Sequence, residues 1–508
     1  MSLKARTFVA QADLTKLACD IVLVPTDAGL YVTESWRGLG PPPEAPAGWG
    51  DRGVRVTEAV PERENTPPRL VRWVNTGNIP ARADDVDWLM QGVRQALDAA
   101  AQSVRGQEPA NKRARPLVGL PLFGIGAGGY GAVRGEVLDR ILEACDGAAE
   151  RHGYDLVIAC QKRADYAALQ SRRLARGPRD AGLGEELRAQ AEWLGGLAKA
   201  GQLALFLGAG VGKPAGLPDW DELIGRLAAD SGYDADQLKA IPVIDAASLL
   251  EDALGDQFRV RLSSELSRPF HALGHSLLAS LRAHEVITTN FDRLYEQACE
   301  ATFDEGDQPR VLPWTRAEPG RPWLLKMHGD VASEHVVLGR EAFLGYDARW
   351  RPLASLVQAA MMTRHLLFVG YSLKDENFVR LGRDVSLLLK SMELPREVGT
   401  VLTLWPEPML KTLWRQDLRP VSMTPEGTDA ASASRVVEVF LDHLAMTAAS
   451  GERSYLLDSR YEALVEDPDS AVFQRLIALG EAVSAERDGS WPEVTDLLRG
   501  LGYRLKRR

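Results

Sequence analysis

Only four cysteines occur in the 508 residues, Cys19, Cys145, Cys160 and Cys299, and no two stand in a C-x-x-C pair. That scatter excludes a disulfide framework and a cysteine-rich structural zinc site. No apolar run approaches the roughly 20 residues needed to cross a bilayer, and the opening MSLKARTFVAQADLTK lacks the apolar core of a secretion signal. A cytoplasmic chain with no membrane partner is the expectation. Basic charge is not in excess: 60 Lys and Arg against 70 Asp and Glu leave a net charge of -10, which argues against wholesale electrostatic binding of nucleic acid. The one basic run, the terminal YRLKRR, reads as a solvated tail. Internal repeats and low-complexity tracts are missing too.

What remains is ordinary globular composition, 45% hydrophobic and 26% charged, in a chain long enough for two or three cores. Residues 19–26 and 69–77 read as strands, and 85–104 has helical spacing. Residues 115–131 read as a strand running into a glycine-rich loop, 132–153 as a helix stopped by glycine, and 154–160 as a further strand. This alternation predicts an α/β domain over 1–175. The proline- and glycine-rich GLGPPPEAPAGWG, 38–50, fits neither element and reads as a long surface loop. The charged stretch 161–184 is the expected junction. A second domain then spans 176–450 with a helical insert at about 221–283, and a helical extension covers 451–508.

The second domain opens on LALFLGAGVGKPAGLPDW. The run LALFL suits a strand buried on both faces, and Gly208-Ala209-Gly210 follows without a gap, so the backbone there can approach a phosphate that side chains would block. The same grammar recurs. Thr288, Thr289, Asn290 and Asp292 follow one apolar strand, His328 another, and Gly370, Tyr371, Ser372 and Asp375 a third. Four polar clusters at the carboxyl ends of parallel strands predict one ligand crevice. His328 is suited to accept a proton at neutral pH. Asp292 either orients the site or caps the next helix. His271 and His275 are spaced i, i+4, but with no third ligand in sight they read as packing residues rather than a metal site.

The ordered set GAGV, GLPDW, TTNFD, KMHGD and FVGYSLKDENF, over roughly 185–449, resembles the sirtuin family, in particular the bacterial sirtuin-like proteins that hydrolyse NAD in anti-phage defence. The resemblance implies a Rossmann-like parallel sheet and NAD as substrate. It would set Gly208, Ala209, Gly210 and Val211 against the dinucleotide phosphates and Pro218, Asp219 and Trp220 over nicotinamide and its ribose. Asn290 and Asp292, with Thr289 beside them, would orient ribose and water, and His328 would be the base. Gly370, Tyr371 and Ser372, with Asp375, would receive the adenosine half. Gly212 replaces the usual serine and Asp221 the arginine of protein deacylases. The four-cysteine zinc ribbon of those deacylases has no counterpart after Gly329, so no zinc is expected and hydrolysis is favoured. A zinc-free deacylase, an ADP-ribosyltransferase and a non-catalytic nucleotide sensor remain the alternatives.

In the first domain, FGIGAGGYG before a helix, with DIVLVPTDAG upstream, is similar to the macro domains that bind ADP-ribose. The likeness would place phosphate on Gly126, Ala127, Gly128, Gly129 and Tyr130, adenine near Asp20 and Ile21, and ribose near Asp27. The fold expected is therefore α/β throughout, a macro-like domain followed by a sirtuin-like one. A toxic, NAD-depleting effector released by a phage or host trigger is the implied role. The C-terminal helices are expected to serve a homo-oligomer.

Overall fold

In the computed structural model, the residues described are 4–50, 54–59, 67–77, 85–126, 128–177, 182–333, 336–341, 346–373, 375–414, 416–465, 470–485 and 491–504. The chain divides into two compact units, Met1–Gly184 with Asp442–Arg508, and Glu185–Leu441.

The first unit is built on a mixed sheet of β1 (Thr7–Gln11), β2 (Ile21–Thr26), β3 (Val56–Ala59), β4 (Leu70–Asn75), β5 (Leu117–Pro121) and β6 (Asp155–Cys160), in the order β1-β6-β5-β2-β4-β3. All neighbours run parallel except the edge pair β3 and β4. The inner strands are near-continuous apolar runs because both faces are covered; in β6, DLVIAC, all six positions are buried. The helix Val86–Val104 buries Leu89, Met90, Val93, Ala96, Leu97 and Ala100, the 3–4 spacing of a core-facing stripe. The helix Arg134–His152 ends at Gly153, whose φ of 76° suits glycine. The stretch 161–184 holds a helix, Arg163–Ala175, whose Tyr166, Ala167, Ala168 and Leu169 join this unit's core. Tyr461 of the C-terminal segment is buried in the same core and donates its hydroxyl hydrogen bond to Asp165 Oδ1 at 2.7 Å.

The second unit carries β7 (Leu203–Leu207), β8 (Glu285–Thr288), β9 (Arg310–Leu312), β10 (Trp323–Lys326), β11 (His365–Val369), β12 (Gly399–Thr403) and β13 (Leu418–Ser422), ordered β13-β12-β11-β7-β8-β10-β9. Every pairing is parallel. LALFL is buried at all five positions, as its lack of alternation requires. Between β7 and β8 the helices Trp220–Ala228, Ala235–Lys239, Val243–Leu254, Asp256–Leu266 and Leu273–Ser280 form the insert, with a core of its own around Leu223, Leu227, Leu250, Phe258 and Leu262. The chain builds outward from β7 through β8 to β9 and β10, then crosses back to β11 on the other flank of β7. The strand order therefore reverses at β7, and the carboxyl ends beside that reversal are where an open α/β sheet leaves a ligand crevice.

Candidate functional sites

β11, β7, β8 and β10 are adjacent in the sheet, and each sequence motif begins where one of them ends. The sheet thus brings Gly208, Asn290, His328 and Gly370 to one edge. The two glycine loops are packed backbone to backbone. A Cβ on Gly208 would lie 2.4 Å from the Gly370 carbonyl oxygen, one on Gly210 2.8 Å from Gly370 Cα, and one on Gly370 2.5 Å from the Val211 nitrogen. The Gly210 amide donates to Gly370 O at 2.9 Å, Val211 to Gly208 O at 3.1 Å and Gly212 to Ala209 O at 3.1 Å. This crossing alone accounts for glycine at 208, 210 and 370, and it engages amides that the phosphate reading would use. Gly370 also has φ 64°, open to glycine at no steric cost.

Asn290 is held from two sides. Its backbone amide donates to Thr288 Oγ1 and its side-chain NH2 to the Gly208 carbonyl, both at 3.0 Å, while the Thr288 hydroxyl bonds Leu207 O at 3.0 Å. The side chain is thereby fixed to the first loop with Oδ1 as its remaining acceptor. Thr289 beside it is half-buried. Asp292 is a buried residue whose Oδ1 accepts from the Leu294 amide at 3.0 Å, shaping the turn ahead of the helix Leu294–Thr302, whose N-cap is Arg293; burial pushes its pKa up. His328, 6% exposed, follows β10. Its carbonyl accepts from Val337 N at 2.8 Å, its ring lies 6.5 Å from that of Phe291, and Nε2 stands 3.0 Å from Asp375 Oδ2. The oxygen lies off the N–H direction of that ring, so the contact is an electrostatic approach rather than an aligned hydrogen bond.

Asp219 is the N-cap of Trp220–Ala228 in a capping box with Glu222, and Lys213 Nζ reaches its Oδ2 at 2.8 Å. The lysine hydrogen bond holds the Asp219 carboxyl below its ordinary range. Pro218 is buried, and the Trp220 ring packs edge-on against Phe291 at 6.0 Å. Tyr371 stacks into the aromatic cluster at the strand ends, 4.6 Å from the Phe206 ring and 5.4 Å from that of Phe378, while Ser372 is exposed.

In the first unit a cavity of about 450 Å³ opens at the carboxyl ends of the inner strands. Asp27, Gly126 and Gly128 line it, with Trp36, Arg134 and Lys162. Asp20 and Ile21 do not. They stand at the opposite end of β2 from Thr26 and Asp27, and the Asp20 carboxylate accepts the Ala110 and Leu117 amides at 2.6 and 2.8 Å. Their expected place beside adenine is thereby corrected: Asp20 ties down the start of the strand. Tyr130 is buried beneath the loop, its Cδ2 2.7 Å from where a Cβ on Gly124 would stand, and neither it nor Gly129, with φ 90°, lines the cavity. Ala127 lies outside the described residues. Asp27 Oδ1 accepts from the amides of Gly29 and Tyr31 at 2.8 and 2.9 Å, shaping the turn that walls the cavity.

Residues 284–418 match the family model described as a SIR2-like domain. The chain is 30% identical over 209 residues to defense-associated sirtuin 2 of Bacillus subtilis, covering 37% of this chain and 20% of that relative. It is 29% identical over 183 residues to the NAD(+) hydrolase ThsA of Bacillus cereus, covering 34% and 38%, and 26% identical over 211 residues to the ThsA of Enterococcus faecium, covering 38% and 42%. The chain thus matches well under half the length of these relatives. Among solved structures it matches an Oceanobacillus iheyensis macrodomain with ADP, at 15% identity and TM-score 0.24 over 33% of this chain and 89% of that one.

Two residues of the matched stretch 284–418 have roles that the motifs did not reveal. Lys326 is 0% exposed. Its Nζ donates to Asp330 Oδ2 at 2.6 Å, Glu296 Oε1 at 2.9 Å and the Asp292 carbonyl at 2.6 Å, tying the loop after β8 to the loop that carries His328. A lysine closing the apolar run WLLK was the available signal, because a buried cation needs partners. Asp375, expected on the nucleotide, faces His328. His271 and His275 are both buried, and His271 Nε2 meets Ser276 Oγ at 2.9 Å.

Proposed function

We propose that the SIR2-like domain is an NAD+ glycohydrolase. Water adds to the ribose C1′, the bond to nicotinamide breaks with its electron pair leaving on nicotinamide, and the water's proton passes to His328, giving ADP-ribose. Asn290 orients the ribose and the water, Asp292 holds their loop, and the turns at Gly208–Val211, Pro218–Trp220 and Gly370–Ser372 enclose the dinucleotide. The observation that carries this reading is the delivery of a fixed amide, Asn290, and a buried imidazole, His328, to one strand-end edge at the reversal of strand order. The hydrolase relatives support it.

The test is incubation of the purified chain with NAD while nicotinamide and ADP-ribose are followed by chromatography. Both products without any acyl-protein support hydrolysis. Nicotinamide that forms only with an acyl-peptide indicates a deacylase, label transferred to protein an ADP-ribosyltransferase, and tight NAD binding without products a sensor. The cellular role we infer is NAD depletion in the cytoplasm during anti-phage defence after a phage or host trigger; loss of cellular NAD on infection, with and without His328, checks it. A homo-oligomer is part of the same proposal, since Val472 and Leu479 on the helix Ala471–Ala485, and Trp491 and Leu497 at the start of and within the helix Pro492–Gly500, are exposed; light scattering reads it.

A second reading rests on the first unit's cavity, which suits an ADP-ribose-like nucleotide: a mouth at the strand ends, a glycine loop, and the start of the helix Arg134–His152. Calorimetry with ADP-ribose on the full chain tests it. A 1–175 fragment would lack Tyr461 of that unit's core.

A further inference from the structure

After β11 the chain turns through Gly370 and enters the helix Glu376–Ser391, with Asp375 at its N-cap. One carboxylate oxygen, Oδ1, accepts from the Phe378 amide at 3.0 Å. The other, Oδ2, stands 3.0 Å from His328 Nε2, and the two side chains are 11% and 8% exposed. A carboxylate is planar and rigid, so anchoring one oxygen to a helix amide fixes the other. The helix thus sets a negative charge against one nitrogen of the imidazole at the end of β10.

We propose that Asp375 is the positioning residue for His328, its carboxylate charge held against the Nε2 edge of the ring so as to fix the ring's orientation and to stabilise the imidazolium once it has taken a proton. The inference rests on the NAD-cleaving reading in that it gives His328 the role of proton acceptor. A carboxylate oxygen 3.0 Å from an imidazole nitrogen attracts the ring in its protonated form. Other charged groups around this loop are engaged elsewhere. Lys326 and Asp330 bond each other, with Glu296 on the same ammonium. Asp292 Oδ1 accepts from the Leu294 amide, and the loop after β8 presents the apolar Phe291 ring to His328.

A purely structural Asp375 would need only Oδ1, and asparagine caps helices as well as aspartate. Asp375→Asn therefore keeps the cap and removes the charge; Asp375→Ser is a second neutral cap. In the full-length chain labelled with ring-13C histidine, the His328 resonance is assigned by its loss in His328→Gln and compared between the wild type and the two variants. The expected result is a displaced His328 ring resonance in both variants, with unchanged hydrogen exchange over 376–391. An unchanged His328 resonance overturns the proposal. In NAD cleavage kcat should fall about 10-fold or more, with KM for NAD within about threefold. If the wild type cleaves NAD and Asp375→Asn matches its kcat, the positioning role is wrong even where the resonance moves. If the wild type leaves NAD intact, the function fails, and the resonance alone decides the pair.

Discussion

Removing the Lys326 ammonium should destabilise the second unit strongly. Lys326→Met keeps roughly the same apolar stem and deletes the cation that Asp330, Glu296 and the Asp292 carbonyl share. Burial alone pulls the ammonium's pKa down, but Glu296 and Asp330 outweigh it and the net displacement is upward. Burial pushes the carboxyls of Glu296 and Asp292 up, and the lysine opposes this. Without it, two or three buried carboxyl groups either stay charged without a counter-ion or take up protons. Breaking one side of such a buried cluster costs about 3–5 kcal/mol, a large part of the 5–15 kcal/mol of a typical domain. Because the chain has two units, a single melting curve mixes them. Urea-dependent hydrogen exchange, read on peptides covering 323–330, isolates the sheet that holds Lys326. Lys326→Met with Glu296→Gln and Asp330→Asn should recover at least about half the loss, since the charges then vanish together. A loss below about 1 kcal/mol in Lys326→Met would refute the argument that this cluster ties the β8 and β10 loops.

His328→Ala and Asn290→Ala should each lower NAD cleavage by about 100-fold, measured as nicotinamide release; a folded variant that keeps near wild-type turnover removes that residue from the mechanism. Burial holds His275 neutral, with its pKa lowered to about 4. Since the folded pKa lies below the unfolded value near 6.5, the unfolded chain binds the extra proton, so this histidine's contribution is complete above pH 6.5 and is lost as pH falls toward 4, by about 3 kcal/mol in all. His275→Gln should flatten the decline in stability over that window, and an unchanged slope counts against it. Gly126→Glu should abolish ADP-ribose binding by calorimetry while leaving the thermal midpoint within about 2 °C, and retained binding would end the nucleotide reading of that cavity.

The four motifs were legible because the chemistry of a strand end is local: a buried apolar run, then glycine or a short polar group where the backbone turns. Thus GAGV, TTN, MHG and GYS were each placed at the correct end of a correct strand. What the sequence hid was direction and neighbourhood. Asp20 and Asp27 flank the same strand, and nothing in DIVLVPTD says which faces the cavity; parallel pairing decides, and it puts Asp27 there. Asp375 lay inside a recognised motif, but its nearness to His328 depends on two strands with β7 and β8 between them in the sheet. β1 was missed as a five-residue run near the amino end, and β3 because VTEA is a short, partly exposed edge with no apolar face to betray it.

Glycine means different things in the two sites, and that difference decides which substitutions can report on ligands. At Gly128 a Cβ would lie 2.7 Å from Gly124 Cα, and at Gly208 and Gly210 it would meet the backbone of Gly370. Each is required by one chain segment crossing another, so a substitution there disrupts the turn before it tests any ligand. Gly126 is of another kind. A Cβ there meets none of the described residues within 4 Å, and its φ is not in the left-handed region. Neither packing nor conformation demands glycine at a position that lines the cavity, and a side chain added there would enter the space a ligand uses. Loss of binding at Gly126 is therefore a statement about the cavity, whereas loss at Gly128 is a statement about the fold. The crevice of the second unit holds only the first kind among Gly208, Gly210 and Gly370. Its chemistry has to be read from Asn290 and His328, whose side chains the glycine crossing positions but does not replace.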